Sequence, residues 1–130
     1  MSVQEQVVYI NNEQDTEAFG MELASTLEPG DIVALIGDLG TGKTTLTKYI
    51  AKGLGVTDKS GGLPLFHFDV YRLSSGDELL DIGADEYFYA DGVCIIEWAD
   101  IVADVVPDKA KVILIEYGDK QGERIYRCIF

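Results

Sequence analysis

The sequence predicts an α/β protein in which helices flank a mixed central sheet. Residues 32–36 form a continuous apolar run, which is typical of a buried strand in a parallel sheet. A glycine-rich turn and a helical pattern follow this run directly. Near the end of the chain, residues 112–117 and 124–130 flank a turn with two glycines, a pattern that favours an antiparallel hairpin. Because 130 residues is the length of one ordinary domain, we expect residues 1–130 to form a single domain.

The first part of the chain predicts a strand followed by an amphipathic helix. Residues 7–10 are rich in strand-favouring side chains. Asn12 then offers a side chain suited to capping a helix, and apolar residues recur at every fourth position from Phe19 to Leu27. This spacing predicts a helix over residues 13–27 that buries one face.

The rest of the chain alternates between predicted strands and helices. After the apolar run, the pattern predicts in order a helix over residues 43–54, a strand over 65–70, turns and short helices over 75–89, and a strand over 92–96. Such alternation is typical of parallel strands joined by helical crossovers. The C-terminal hairpin adds antiparallel strands, so the sheet is expected to be mixed.

The charge of the chain argues against two classes of partner. The formal net charge is −13 and the pI is about 4.2, whereas proteins that bind nucleic acid by themselves need a basic footprint. Anionic membrane surfaces are disfavoured for the same reason. The charge is also uneven, because residues 37–62 carry a net +2 between segments 1–36 and 63–108, which carry −7 and −10. A positive segment inside an acidic chain is a candidate anion-binding site.

The chain shows no signal for export or for insertion into a membrane. Its first residues lack the basic region and the apolar stretch of a secretory signal, and no run approaches the roughly 18 apolar residues of a membrane-spanning helix. Cys94 and Cys128 form no C-x-x-C pair, so we expect two buried thiols rather than a zinc or redox site. Together these features predict a cytoplasmic protein.

The turn after the first apolar run carries a phosphate-binding motif. Residues 37–44 fit the pattern G-x-x-x-x-G-K-[ST], with a predicted strand before them and a predicted helix after them. The glycines let successive backbone N–H groups point at phosphate oxygens, and the positive end of the helix dipole adds to the same spot. We therefore predict a P-loop NTPase domain. Its expected nucleotide-binding residues are Gly37, Asp38, Leu39, Gly40, Thr41, Gly42, Lys43, Thr44 and Thr45.

Three side chains at the start of the predicted helix have specific tasks in this motif. Lys43 reaches the β- and γ-phosphates, and the Thr44 hydroxyl helps to complete the shell of a magnesium ion. Thr45 can contact the α-phosphate from the first helical turn. The chain lacks the N-K-x-D segment that would select guanine, so we predict ATP with Mg²⁺ rather than GTP.

Two acidic residues end apolar strands downstream of the motif. Asp69 and Glu97 each follow a largely apolar run, and a P-loop needs acids in such positions to hold magnesium and orient water. Both are candidate catalytic residues. His67, inside the first of these strands, is expected to be a packed, hydrogen-bonded histidine rather than a base. Trp98 belongs either to the core or to a cover over the nucleotide pocket.

Three blocks of sequence resemble the TsaE family (older name YjeE), the small P-loop ATPase of bacterial tRNA threonylcarbamoyladenosine biosynthesis. They are residues 37–45, H-F-D-V-Y-R-L at residues 67–73, and I-I-E-W at residues 95–98. The second and third blocks are far more specific than the P-loop alone, and the resemblance covers nearly the whole chain. It implies an ATPase that works with the partner proteins TsaB and TsaD in installing threonylcarbamoyl on adenosine 37 of certain tRNAs. The transfer chemistry would belong to TsaD, and tRNA would be contacted only through the complex.

The resemblance also assigns roles to individual residues. It implies that Lys43 and Thr44 bind phosphate and magnesium. It implies as well that Glu97 joins Thr44 in the metal site and that Asp69 acts beside it. Trp98 belongs to the same functional block. The further nucleotide contacts that analogy suggests are Thr16 and Arg124.

One departure from the family concerns the segment after the P-loop helix. The family usually carries a Ser-Pro-Thr-Phe/Tyr-Thr segment here, whose threonine resembles a GTPase switch residue. In this chain Lys59 and Ser60 lead directly to Gly-Gly-Leu-Pro at residues 61–64. Either the segment is deleted, or the natural chain carries it and this sequence omits it; the close match elsewhere favours the second interpretation. A true deletion would affect hydrolysis rather than nucleotide binding.

Two other function classes stay open at this point. A small-molecule kinase uses the same P-loop and strand-end acids, but such enzymes usually bring a basic lid, and residues 63–108 contain Arg72 as their only base. A nucleotide-dependent interaction module would bind ATP without hydrolysing it. A screen for phosphate acceptors identifies the kinase. Glu97→Gln identifies the module, because that change should leave a module's function intact.

Overall fold

The computed structural model describes residues 5–38, 40–55, 64–70, 76–81, 83–88 and 91–130. The strands are β1 (Glu5–Ile10), β2 (Ile32–Gly37), β3 (Leu65–Asp69), β4 (Val93–Glu97), β5 (Lys111–Tyr117) and β6 (Arg124–Ile129). The helices are α1 (Glu13–Thr26), α2 (Lys43–Gly53), α3 (Gly76–Asp81) and α4 (Ala84–Phe88), with a 3₁₀ helix at Ala99–Val102. The predicted strands and helices are all present, with ends that differ from expectation by no more than about two residues. The 3₁₀ helix was not predicted.

The six strands form one sheet, in the order β1-β6-β5-β2-β4-β3. β2 pairs in parallel with β4 and with β5, and β3 pairs in parallel with β4. β6 is antiparallel to both β5 and β1. The sheet therefore has a parallel centre and an antiparallel C-terminal hairpin, which confirms the predicted mixed α/β architecture.

Helices cover both faces of β2 and β4, and this explains why the two strands are apolar without alternation. On one face, Val33 and Ile95 belong to a core that α1 and α2 complete. On the other face, Ala34 and Ile96 belong to a second core, formed with α3, α4 and the 3₁₀ helix. A strand buried on both faces has no polar side to present. The two strands are thus held rigidly, and the residues at their carboxyl ends are held with them.

Two glycines let α1 and α2 approach each other closely. A Cβ atom added at Gly20 would lie 2.7 Å from the Cβ of Tyr49, and one added at Gly53 would lie 2.5 Å from the Cβ of Ala24. Both distances are far below van der Waals contact. Each position therefore needs glycine, although glycine inside a helix costs about 1 kcal/mol relative to alanine. This close packing fixes α2 against the sheet.

The first helix begins at the predicted cap. The Oδ1 atom of Asn12 accepts a hydrogen bond from the backbone N–H of Asp15 at 2.9 Å, which satisfies one of the free donors at the start of α1. Within the described ranges, none of the helices has the length and apolar character needed to cross a membrane.

Both cysteines are buried thiols, as the sequence predicts. Cys94 and Cys128 are 1% and 2% exposed and form no disulfide. Burial raises the pKa of each thiol to about 11, and nearby Lys109 opposes this shift only at Cys94. Cys94 also donates a hydrogen bond to the carbonyl oxygen of Tyr87 at 3.1 Å. At neutral pH both thiols are protonated parts of the core.

Candidate functional site

The predicted site residues meet at the carboxyl ends of the parallel strands. β2, β3 and β4 all end at this edge of the sheet, and α2 begins there. Together they surround a cavity of about 390 Å³. The residues that line it are Gly40, Gly42, Lys43, Thr44, Thr45, Asp69, Glu97 and Trp98. Ligands of open parallel sheets bind at this edge, and the structure brings the loop motif and both predicted carboxylates to it.

The loop between β2 and α2 needs glycine at defined places. Gly42 precedes α2 with a φ angle of 97°, in the left-handed region that other residues avoid. A Cβ atom added at Gly37 would lie 2.7 Å from the carbonyl oxygen of Ile115 on β5. Leu39, which was also predicted to contact nucleotide, lies outside the described residues. The described part of the loop has the glycine-dependent shape that the motif predicts.

Lys43 folds back onto the loop that precedes it. Its Nζ atom donates hydrogen bonds to the carbonyl oxygens of Gly37 and Asp38 at 2.6 and 2.8 Å. The Thr41 hydroxyl donates to the same Asp38 oxygen at 2.8 Å. Lys43 is 5% exposed, and this burial lowers its pKa, although the Glu97 carboxylate acts in the opposite direction. The ammonium group is thereby held in the wall of the cavity, where it can contact a bound anion.

Trp98 lies at the margin of the core and also lines the cavity. Its ring centroid is 3.9 Å from Nζ of Lys43, which is the geometry of a cation–π contact. Among the described residues other than glycine, only Trp98 has a positive φ angle, of 61°. Such a left-handed conformation costs roughly 1–2 kcal/mol. The sequence left a core position and a cover over the nucleotide pocket open for Trp98. The structure shows it packed against the core and lining the cavity, while a role as a cover stays a prediction.

Glu97 is buried and is hydrogen bonded through both of its carboxylate oxygens. The residue is 2% exposed. The Thr44 hydroxyl donates to Oε1 at 2.9 Å, and Nε2 of His67 lies 2.5 Å from Oε2. Burial alone would raise the pKa of Glu97, but the hydrogen bonds from His67 and Thr44 outweigh it and hold the pKa below its ordinary value. Glu97 is therefore ionised at neutral pH, directly beside a hydroxyl group.

The pair formed by Thr44 and Glu97 fits a magnesium ion in its donor chemistry. Hydroxyl and carboxylate oxygens are hard ligands of the kind that Mg²⁺ prefers, and in such sites the ion takes its other ligands from water and phosphate. In the ranges that the structure describes, no three or more His, Cys, Asp and Glu side chains form a group that could hold a metal.

Asp69 lies beside Glu97 but in a different environment. The two residues are directly opposite each other in the register of β3 and β4, so their side chains share one face of the sheet. β3 is the edge strand, and Asp69 is exposed and lines the cavity. One carboxylate of the site is therefore enclosed, and the other is accessible to water.

Comparison with known proteins agrees with this geometry. The family model described as threonylcarbamoyl adenosine biosynthesis protein TsaE matches residues 10–126. The chain belongs to the TsaE family. It is similar to the tRNA threonylcarbamoyladenosine biosynthesis protein TsaE of Bacillus subtilis, at 38% identity over 91% of this chain and 82% of that relative. It is also similar to the protein of the same name from Treponema pallidum, at 41% identity over 73% of this chain and 79% of that relative.

A crystal structure extends the TsaE assignment to the fold. The structure of Bacillus subtilis YdiB is similar with a TM-score of 0.85 and 36% identity, covering 99% of this chain and 87% of that one. The family match includes the loop motif and both carboxylates. The resemblance to TsaE and the predicted fold class are thus confirmed. The departure from the TsaE pattern after Ser60 lies outside the described residues.

The environment of His67 in this TsaE site differs from expectation. His67 is hydrogen bonded, as predicted, but its side chain is 36% exposed rather than packed inside the molecule. The reason is that β3 is an edge strand, which the local sequence does not reveal. The hydrogen bond between His67 and Glu97 was also not predicted. The spacing of two residues between His67 and Asp69 is the signal that could have placed both on the face of the site.

Arg124 contacts the loop backbone from the C-terminal hairpin. Its Nε atom donates to the carbonyl oxygen of Thr41 at 3.0 Å, and Nη2 donates to that of Gly40 at 3.2 Å. Its guanidinium carbon lies 4.9 Å from the ring centroid of Tyr117. Sequence reasoning did not foresee this support of the TsaE loop, because β6 and the loop are brought together only by the order of the strands.

Thr16 and Arg124 line a second cavity, of about 410 Å³, next to the first. The two cavities share Gly42 and Thr45. The side chain of Thr16 is hydrogen bonded to Tyr126, and this bond opposes the effect of burial, which raises the pKa of that tyrosine. The structure therefore brings both additional candidates close to the TsaE loop, while their contact with a nucleotide stays a prediction.

Proposed function

We propose that this member of the TsaE family binds and hydrolyses Mg-ATP, and that this hydrolysis serves threonylcarbamoyl modification of adenosine 37 in tRNA. The observation that carries the proposal is the 2.9 Å hydrogen bond between Thr44 of the loop and Glu97 at the end of β4. It joins a phosphate-binding loop to a strand-end carboxylate, the pairing that magnesium-dependent phosphoryl transfer uses. Family membership and the names of the relatives support the place in tRNA modification.

The proposed binding residues have separate tasks. Backbone N–H groups of the loop and the ammonium of Lys43 bind the phosphates. Thr44 and Glu97 are the proposed magnesium ligands, and the bound ion would neutralise charge on the transferred phosphoryl group. The full proposed ATP-binding set is Gly37, Asp38, Leu39, Gly40, Thr41, Gly42, Lys43, Thr44 and Thr45. The second cavity adjoins Thr45, which supports Thr16 and Arg124 as contacts to the nucleoside side of ATP.

Asp69 and Glu97 are the proposed catalytic carboxylates. Asp69 is exposed, lines the cavity and lies opposite Glu97 in the strand register. This position supports Asp69 as the residue that accepts a hydrogen bond from the attacking water. The oxygen of that water forms a bond to the γ-phosphorus as the bond to the ADP oxygen breaks. Glu97 would act at the same step by holding the magnesium ion together with Thr44.

We further propose that the chain acts in the cytoplasm with TsaB and TsaD, as one P-loop domain of residues 1–130. The inclusion of all described strands in one sheet supports a single domain. A net charge of −13 supports contact with tRNA only through the complex, because the chain would repel phosphate at long range. The same repulsion disfavours a membrane surface.

The test is Mg-ATP hydrolysis by the purified protein, alone and together with TsaB and TsaD. We expect strong stimulation by the partners. Glu97→Gln should abolish hydrolysis and spare the part of ATP binding that does not depend on magnesium, because it keeps the shape of the side chain and removes its charge. Glu22→Gln, at an exposed position on α1, is the matched control and should hydrolyse ATP normally. Retained hydrolysis in Glu97→Gln would contradict the role of Glu97.

A protein that binds ATP but shows no stimulation would favour the other function classes. A screen of small-molecule phosphate acceptors would then identify a kinase by the transfer of the γ-phosphate. Unchanged function of Glu97→Gln in the complex would identify a nucleotide-dependent interaction module.

A further inference from the structure

His67 reaches the buried carboxylate of Glu97 from the edge of the sheet. It precedes Asp69 by two residues on β3, so both side chains lie on the same face. Asp69 is directly opposite Glu97 in the strand register, which makes His67 a diagonal neighbour of Glu97. At this position its Nε2 atom lies 2.5 Å from Oε2 of Glu97.

The two oxygens of Glu97 have separate partners. The Thr44 hydroxyl donates to Oε1, and the His67 imidazole is bonded to Oε2. The terminal torsion of a glutamate side chain is broad, so one hydrogen bond alone leaves the plane of the carboxylate poorly defined. The second hydrogen bond fixes it. Because an ionised carboxylate only accepts hydrogen bonds, Nε2 of His67 must carry the proton.

We propose that His67 is a positioning residue that holds Oε2 of Glu97, so that Oε1 faces Thr44 and the magnesium site. This inference rests on the proposed function and adds to it a residue that itself binds neither nucleotide nor metal. Side chains that orient a metal ligand in this way are typically worth about 10- to 100-fold in metal affinity. Glu97 is 2% exposed, so bulk water does not readily replace a lost donor.

The magnesium dependence of nucleotide affinity separates positioning from a merely structural role. Calorimetry would compare the wild-type protein with His67→Phe and His67→Gln, using a non-hydrolysable ATP analogue with Mg²⁺ or with EDTA. We expect the gain in analogue affinity on adding Mg²⁺ to be about tenfold or more smaller in His67→Phe than in the wild-type protein. The affinity measured in EDTA should be unchanged. His67→Gln should recover most of the loss, because its amide N–H can replace the imidazole N–H.

The kinetic constants give a second readout. At saturating magnesium, His67→Phe should lower kcat and raise KM for Mg-ATP, since the magnesium-dependent part of the affinity is weakened while the phosphate-binding loop is intact. His67→Gln should again recover part of kcat.

The possible outcomes distinguish this inference from the proposed function. If His67→Phe keeps the full effect of magnesium, the positioning role is overturned and the proposed function stands. If the wild-type protein binds the analogue equally well with Mg²⁺ and with EDTA, both are overturned. The full loss in His67→Phe with recovery in His67→Gln supports the inference.

A measurement on the unmodified protein keeps the inference testable even if the variants fail to fold. The chain has a single histidine, so the imidazole nitrogen signals in an NMR spectrum need no assignment. Their chemical shifts show which ring nitrogen carries the proton. We expect a protonated Nε2, both in the free protein and in its complex with the magnesium-loaded analogue. An Nε2 atom without a proton would overturn the inference.

Discussion

The ammonium group of Lys43 and the ring of Trp98 face each other at 3.9 Å in the wall of the cavity. Burial of a lysine is unfavourable, and so is the left-handed backbone of Trp98. Such features persist where the surrounding structure holds them in place, and they cluster at functional sites. A bound phosphate would add an anionic partner to the two carbonyl oxygens that Lys43 already has.

Replacement of Lys43 tests the phosphate-binding role of the loop. We expect Lys43→Ala to weaken ATP binding about 10- to 100-fold, because a charge-assisted hydrogen bond is worth about 1.5–3 kcal/mol. Lys48→Ala, at an exposed position on the same helix, should bind ATP like the wild-type protein. Calorimetry measures both affinities, and an unchanged affinity in Lys43→Ala would refute the P-loop interpretation.

The thiols predict a change of stability at alkaline pH. Burial raises the pKa of Cys94 and Cys128 to about 11, from an ordinary value of 9.0. The fold therefore favours the protonated thiols, and this contribution to stability is fully present below pH 9 and is lost as the pH rises towards 11. We expect the free energy of unfolding in urea to fall over that interval.

A variant without thiols isolates this effect from other groups that titrate in the same interval. The double variant with Cys94→Ala and Cys128→Ala should show a smaller fall between pH 9 and pH 11 than the wild-type protein. Equal falls in the two proteins would contradict the assignment. In the native protein at pH 8, both thiols should also resist a thiol reagent that labels them in denaturant.

At the scale of the elements, the close contact of α1 with α2 determines where the P-loop helix lies. Gly53 faces Ala24 across this contact. A Cβ atom added at Gly53 would lie 2.5 Å from the Cβ of Ala24 and 3.2 Å from the Cα of Met21, which is too close to both. Helix propensity alone would favour alanine at this position. The steric conflict is larger than the gain, so the packing of the helices decides the residue.

Substitution of Gly53 measures this conflict. We expect Gly53→Ala to destabilise the protein by about 1–3 kcal/mol, as overpacked core positions do. Adding Ala24→Gly removes the nearest atom and should recover part of the loss, while Ala24→Gly alone only destabilises. Urea denaturation gives the three free energies of unfolding. A Gly53→Ala protein that is as stable as wild type would show that the helices can move apart at little cost.

The sequence predicted those parts of the site that lie in one local pattern, and it missed those that depend on the sheet. The P-loop and the carboxylates of Asp69 and Glu97 follow from apolar strands that end in characteristic residues. The bond from His67 to Glu97 joins residues 30 positions apart, and the bonds of Arg124 to the loop span 83 and 84 positions. Both depend on the order β1-β6-β5-β2-β4-β3, which no local periodicity specifies.

For the whole molecule, the charge of −13 sets the kind of surface that the protein presents. Most of the excess lies in residues 1–36 and 63–108. The motif at residues 37–44 carries one positive residue, Lys43, which is buried and engaged within the site. A net charge of this size disfavours contact with the phosphate backbone of a nucleic acid.

The isolated protein should consequently fail to bind tRNA. Filter binding at low ionic strength is the most demanding measurement, because electrostatic attraction to the phosphate backbone is strongest there. We expect no retention of tRNA by this chain alone, and retention by the complex with TsaB and TsaD. Salt-sensitive binding of tRNA to the chain by itself would contradict the proposal that tRNA is reached only through the partners.

The position of β6 between β1 and β5 also has a consequence for how the protein is made. β1 leaves the ribosome before the other strands of the sheet and can pair with β6 only after residues 124–129 have been synthesised. Arg124, which donates hydrogen bonds to the carbonyl oxygens of Gly40 and Thr41, emerges in the same segment as β6. A nascent chain that has not reached this segment lacks one edge of its sheet and one support of its loop. Tight capture of nucleotide should therefore begin only after residues 124–129 have been synthesised.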